Sequence, residues 1–210
     1  MTNALMIWTY DWVPDGPRDY VRDIRLRWAC EKAGLDYDVK PVSFKDRGPD
    51  HIANQPIGQG PFLQDGDISI FESGPCLLHL ARKSETLMPR DPKGEAEALE
   101  WTIAGLNTIE MVSVPWWVMG LSGTKDIPHE DWMVSRLGRL HAVLPVREWI
   151  AAIRFTVADI MMSNVLRMPK VLNATQKLRA LRAYVDGTVA LPAFKQAHAN
   201  QKAHFAKADE

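Results

Sequence analysis

Between Pro61 and Ala81 the chain reads PFLQDGDISIFESGPCLLHLA, and no other stretch limits the available folds as tightly. Phe62 to Gln64 and Ile68 to Phe71 have the composition of short strands, and the Asp-Gly step between them is a strong hairpin signal. A helix opens directly afterwards. Glu72, Ser73 and Gly74 precede the apolar run Cys76, Leu77, Leu78 and Leu80, and Pro75 is tolerated because first-turn residues have no intrahelical N–H bond to lose. Upstream, Ala4 to Thr9 is an apolar run suited to a buried strand, and WVPDGP (Trp12 to Pro17) is turn chemistry. Val21, Ile24, Leu26 and Trp28 predict a helix over 19–33, with Gly34 as its stop. Tyr37, Val39 and Val42 then mark a second strand, so the opening is β-α-β, a unit that makes a parallel strand pair joined by a crossover helix.

The order β-α-β-(α)-β-β-α is that of a thioredoxin-like domain. After about residue 90 every period is helical, with helices expected near 92–121, 129–151, 156–168, 174–187 and 192–204. The charged, proline-containing stretch KSETLMPRDPKGEAEALEW separates the two regimes. The expected architecture is therefore an α/β thioredoxin-like domain over 1–84, a linker over 85–91, and an all-α helical bundle over 92–210. TVAD (Thr156 to Asp159) is a capping box with Asp in place of Glu.

Composition removes several function classes. Twenty-five Lys plus Arg against 26 Asp plus Glu, without runs of like charge, give no footprint for nucleic acid or an anionic membrane. The two cysteines, Cys30 and Cys76, have no CxxC spacing and no neighbouring His cluster, so neither a metal site nor a redox dithiol is expected, and reduced thiols suit a cytoplasmic protein. The N-terminus lacks a basic leader, and no apolar run approaches the roughly 18 residues of a membrane span.

The stretch around Pro61, Glu72 and Ser73 points instead to a binding site for a small polar ligand. Pro61 follows a short loop and opens a strand, a setting for a cis peptide bond that turns the preceding residue's N–H and C=O outward, toward an extended peptide backbone. Glu72 and Ser73 stand at a helix N-terminus, which favours a carboxylate; Ser73 can donate to it while Glu72 holds an ammonium. A ligand with an α-amino acid at one end and a peptide backbone in its middle fits both features, and glutathione is such a ligand.

Three segments in this order carry a family resemblance: RLRWACEKAGLDYD, NQPIGQGPFLQDGDISIFESGPCLLHLA and FTVAD. Together they resemble the first helix, the glutathione segment and the helical-domain capping motif of bacterial cytosolic glutathione S-transferases, over nearly the whole chain. The resemblance implies that Pro61 is the cis-proline, that Gly60 pairs through its backbone with the cysteinyl unit, that Glu72 and Ser73 hold the γ-glutamyl end, and that Gln59 lies beside the glycyl end. Family members usually carry Val before the proline, so Gly60 keeps the backbone pairing but loosens the loop. A homodimer is implied as well.

Such enzymes ionise the thiol with a Tyr or Ser hydroxyl, or carry a Cys, just after the first strand. Lowering a thiol pKa of about 8.5 by ~2 units is worth roughly 2.7 kcal/mol, within reach of one charge-assisted hydrogen bond plus a helix N-terminus. The loop YDWVPDGPRDYVRD holds no Ser and no Cys. Tyr20 aligns with the Ser position of short-loop relatives and is the preferred candidate, since it would sit at the start of the first helix; Tyr10 aligns with the strand-end tyrosine of others, and a backbone N–H is the third candidate. In the long helix beyond residue 92, Trp101, Met111 and Trp116 are large adaptable apolar side chains suited to a hydrophobic electrophile. Conjugation, glutathione-dependent dehalogenation or isomerisation, and non-catalytic glutathione binding all use this site. A glutaredoxin-like reaction would need a first-loop cysteine.

Overall fold

The computed structural model describes residues 5–123 and 127–207, and their contacts divide the chain into two units: Met1–Leu87 with Leu191–Glu210, and Met88–Ala190. In the first, β1 (Leu5–Tyr10), β2 (Tyr37–Val42), β3 (Phe62–Asp65) and β4 (Ile68–Phe71) form one sheet in the order β2-β1-β3-β4. β1 and β2 run parallel, and β3 and β4 are antiparallel additions. Along β1, Leu5, Ile7 and Thr9 are buried while the residues between them are partly exposed, the period of a strand with one covered face. Ala4, expected to begin this strand, lies outside the described residues. Gly66 takes φ 64° in the β3–β4 turn, a left-handed conformation that suits a residue without Cβ.

The first helix, α1, spans Asp23–Ala33 rather than beginning at residue 19. Arg18–Tyr20 instead form a separate 3-10 turn, and Val21 after it is non-helical, with ψ 133°. α2 (Pro49–Asn54) and α3 (Ser73–Arg82) complete the thioredoxin-like order. α10 (Pro192–Ala206), expected as the last helix of the bundle, packs on α1, with the Phe194 ring 4.8 Å from that of fully buried Trp28. Its polar side chains fasten the same region. Gln201 donates to Val21 O and Asp23, and His204 Nε2 lies 2.8 Å from Tyr10 O, a carbonyl that can only accept, so this nitrogen carries the proton.

The helical unit comprises α4 (Pro92–Ala104), α5 (Met111–Leu121), α6 (Ile127–Val143), α7 (Val157–Leu166), α8 (Pro169–Ala174) and α9 (Arg179–Val189). All ten residues of α7 are buried, which makes it the core of this unit. Its capping box forms as expected: Asp159 Oδ2 accepts from Thr156 N at 2.8 Å, and Thr156 Oγ1 from Ala158 N at 3.3 Å. The helix expected over 92–121 is divided by a wide π turn, Gly105–Glu110. α6 stops at Val143, short of the expected residue 151, because Pro145 lacks the N–H that would continue it. Among the described residues no helix is long and apolar enough to cross a membrane.

Candidate functional site

Strand register gathers the sequence-marked residues of the first unit. Trp8 pairs with Phe62 and Phe62 with Phe71, so Gly60 and Pro61, just before β3, fall beside the end of β1 and beside Glu72, just after β4. The Gly60–Pro61 bond is cis. A Cβ on Gly60 would lie 3.3 Å from Tyr10 Cζ, so the Tyr10 ring rests across this glycine in the space that the usual valine would enter. The ring also meets Phe44 edge-on at 5.3 Å and lies under the Arg47 guanidinium at 4.9 Å. Tyr20 ends the 3-10 turn ahead of α1 instead of opening the helix.

Arg47 and His51 shape the loop before Pro61. Arg47 donates to Ser43 O at 2.9 Å and to Gly58 O at 3.0 Å, joining the two ends of the segment that contains α2. His51 Nε2 lies 2.8 Å from Gln59 O, leaving the Gln59 residue at the exposed tip of the loop. Neither Arg47 nor His51 stands out in the sequence, since each sits among other charged residues in the irregular stretch KDRGPDH.

At the other side of the site, α3 begins at Ser73 and Glu72 precedes it with φ 69° and ψ 131°. A non-glycine residue held there costs on the order of 1–3 kcal/mol and persists because its surroundings fix it. Here β4 pairing fixes the chain before it, and the Cys76 N–H bond to Glu72 O fixes the chain after it. The Glu72 side chain is left exposed, whereas Ser73 is buried and accepts a 2.9 Å hydrogen bond from Nη1 of buried Arg25 in α1. The result is a helix N-terminus with a fixed cation behind it and an exposed carboxylate in front, matched to a ligand carrying a carboxylate and an ammonium.

Cys30 and Cys76 are free and buried, and burial pushes both thiols up to about 12, so neither is a nucleophile at neutral pH. In the helical unit, Trp101 lines an apolar cavity of about 180 Å³. Met111 and Trp116 do not line it: Met111 is exposed, and the Trp116 ring is buried beneath the Lys170 ammonium at 4.3 Å.

Known proteins match this arrangement. Residues 16–82 fit the family described as glutathione S-transferase, N-terminal domain. Maize glutathione S-transferase 1 is 31% identical over 179 residues, covering 76% of this chain and 80% of the maize protein. Glutathione S-transferase 1 of Schizosaccharomyces pombe is 27% identical over 153 residues, covering 63% and 64% of the two chains. These relatives are plant and fungal, and they do not carry the bacterial affiliation of the sequence resemblance. In structure, a Burkholderia graminis glutathione transferase with two glutathione molecules per subunit superposes with a TM-score of 0.80 at 22% identity, over 93% of this chain and 87% of that one. With the thioredoxin-like unit, the helical unit and the maize relative in agreement, the chain belongs to the glutathione S-transferase family of enzymes.

Proposed function

We propose that the protein is a cytoplasmic glutathione transferase that joins the thiolate of glutathione to a hydrophobic electrophile. The observation that carries this reading is the register that brings Tyr10, Gly60–Pro61 and Glu72–Ser73 to one end of the sheet. Residues 1–84 would hold glutathione, with Gln59 at the glycyl end, Gly60 and Pro61 at the cysteinyl unit, and Glu72 and Ser73 at the γ-glutamyl end. The sulfur forms a bond to the electrophilic carbon, whose leaving group departs with the bonding pair. The protein's contribution is thiol ionisation and proximity. Of the two candidate tyrosines, Tyr10 has its ring against Gly60, and we assign it the hydrogen bond to the sulfur, with Tyr20 as the alternative. Trp101 and exposed Met111, within 92–210, are proposed contacts for the electrophile, whereas Trp116, buried beneath Lys170, is not. The exposed apolar side chains Ile68 and Phe71 on edge strand β4 favour a homodimer.

Calorimetric titration with reduced glutathione, wild type beside Ser73→Ala, tests the site. Saturable binding weakened about tenfold or more by the substitution supports it, in line with ~1.5–3 kcal/mol for a hydrogen bond to a charge. Absence of binding by the wild type would remove the reading.

A second reading is a glutathione-binding protein without transferase activity, favoured by the lack of Ser and Cys in the loop after β1. Ultraviolet absorbance of the bound thiolate against pH separates the two. An enzyme lowers the thiol's pKa, whereas a simple binder leaves it near the free value of about 8.5.

A further inference from the structure

We propose that His204 of α10 is a positioning residue for the thiol reaction: by holding the Tyr10 carbonyl it sets where the Tyr10 ring can reach. The inference rests on the assignment of the sulfur's hydrogen bond to Tyr10, and it adds the last helix of the chain to the residues that serve it.

β1 ends at Tyr10, and the chain then runs through an irregular loop to α1, which begins at Asp23. The peptide unit between Tyr10 and Asp11 is held at both of its polar groups. Its N–H donates to Val42 O at 2.8 Å, and its C=O accepts from His204 Nε2 at 2.8 Å. Because a peptide unit is planar, two holds on opposite edges fix its tilt, and with it the ψ of Tyr10. The pairing of Tyr10 with Val42 across β1 and β2 steadies the residue from the strand side. The Cα–Cβ bond then has one direction, the one that lays the ring against Gly60.

His204 is itself fixed. His198 Nε2 lies 3.0 Å from Asp19 Oδ1 and Gln201 Nε2 donates to Val21 O at 2.9 Å, so α10 meets the two ends of the loop at every third residue from 198 to 204. Nε2 of His204 carries its proton whether or not Nδ1 is protonated, so the bond to Tyr10 survives across the pH range in which a thiol is titrated.

A hydrogen bond weakens steeply as its donor moves off line, and a displacement of ~1 Å at the reacting atoms can cost roughly a hundredfold in rate. Glu72 and Ser73, proposed to grip glutathione, are fixed separately, by the Cys76 N–H and by Arg25. Loss of the His204 bond should therefore impair thiol ionisation and spare binding.

The test is the ultraviolet titration of bound glutathione thiolate, beside calorimetry with S-methylglutathione, whose sulfur cannot ionise. His204→Ala is expected to cut the thiolate fraction at about pH 6.5 by roughly threefold to tenfold and to leave S-methylglutathione affinity within about twofold. His204→Gln, whose amide N–H can donate to the same carbonyl, is expected to restore most of the thiolate. Asn200→Ala removes bonds of the same helix to Glu31 and Tyr37, 3.0 and 3.3 Å long, and should lower the melting temperature without moving the titration. Melting curves check that each variant folds, and His204→Leu, which keeps the bulk, replaces His204→Ala should that variant fail. In a Tyr10→Phe background His204→Ala should add nothing. If Tyr10→Phe alone moves the titration and His204→Ala does not, the positioning role is overturned and the Tyr10 assignment stands; if Tyr10→Phe moves nothing, the assignment falls and the inference with it. An equal shift in Asn200→Ala, or an effect of His204→Ala that persists without the Tyr10 hydroxyl, would also overturn the proposal.

Discussion

Nη1 of Arg25 donates a 2.9 Å hydrogen bond to Oγ of Ser73, joining α1 to the first residue of α3 in the buried interior. A guanidinium has donors and no acceptor, so Ser73 must receive this bond and its own hydrogen is turned elsewhere. The serine is thereby prepared as a donor, beside the free N–H groups that open α3 and with a positive charge behind it.

Arg25→Lys, which keeps the charge but loses the fixed fork, should weaken glutathione binding by about threefold to tenfold. In a Ser73→Ala background the same change should cost much less, a coupling of ~0.5–3 kcal/mol between the two positions. Calorimetry on the four proteins of this cycle measures it. Equal losses in both backgrounds would mean that Arg25 does not act through Ser73.

Tyr10 and Gly60 make a second coupled pair, since a Cβ at residue 60 would stand 3.3 Å from Tyr10 Cζ. If the Tyr10 hydroxyl ionises the sulfur, Tyr10→Phe should return the bound thiol toward its free pKa of about 8.5 and cut turnover near neutrality about tenfold or more. Tyr20→Phe should change neither. Gly60→Val, which must displace the ring by a few tenths of an ångström, should produce a smaller shift in the same direction. Thiolate absorbance against pH, measured on all three variants, reads the effect directly.

Glu72 holds φ 69°, where glycine is relaxed and glutamate is strained. Glu72→Gly should release that strain and raise stability by about 1 kcal/mol, after allowing for the greater freedom of glycine in the unfolded chain. It should also weaken glutathione by removing the carboxylate that faces the ligand's ammonium. Urea unfolding and calorimetry together check the two opposite signs. A variant that is less stable would show that the conformation is not a strained one.

Local chemistry made part of this legible. The Asp-Gly turn placed the β3–β4 hairpin, glycine the end of α1, and TVAD the start of α7. The polar interior was not legible, because periodicity assumes that a helix hides one face and shows the other. α1 is covered by α3 and α10, so Asp23, Arg25 and Arg27 are buried and find partners far along the chain or one turn away. Nothing in the spacing of α10 says that it packs on α1. Arg25 was therefore not singled out, and its link to Ser73, 48 residues on, needed the folded chain. The π turn likewise has no sequence signature, and the cavity beside it was invisible. Tyr20 was preferred to Tyr10 because helical periodicity put it at the start of α1; the 3-10 turn that holds it and the ring that reaches Gly60 were not visible in the spacing.

Asp159 caps α7 and accepts hydrogen bonds from Ile150 N, Thr156 N, Tyr184 Oη and, at 3.3 Å, Thr156 Oγ1. Burial pushes its carboxyl up from 3.8 to about 6, although those four donors pull the other way. The folded state therefore takes up a proton at higher pH than the unfolded chain does. The stability from this group is fully present below pH 3.8 and is lost as the pH rises through about 6. Between pH 7 and 5 the wild type should gain about 1 kcal/mol from Asp159, set against whatever other groups contribute. Asp159→Asn cannot titrate. It should be less stable at pH 5 through the loss of the reciprocal cap, by about 1 kcal/mol or more, and should lack this part of the pH slope. Urea unfolding of both proteins across that range isolates the term by difference. Parallel pH profiles would show that the Asp159 carboxylate is ionised throughout, held so by its four donors.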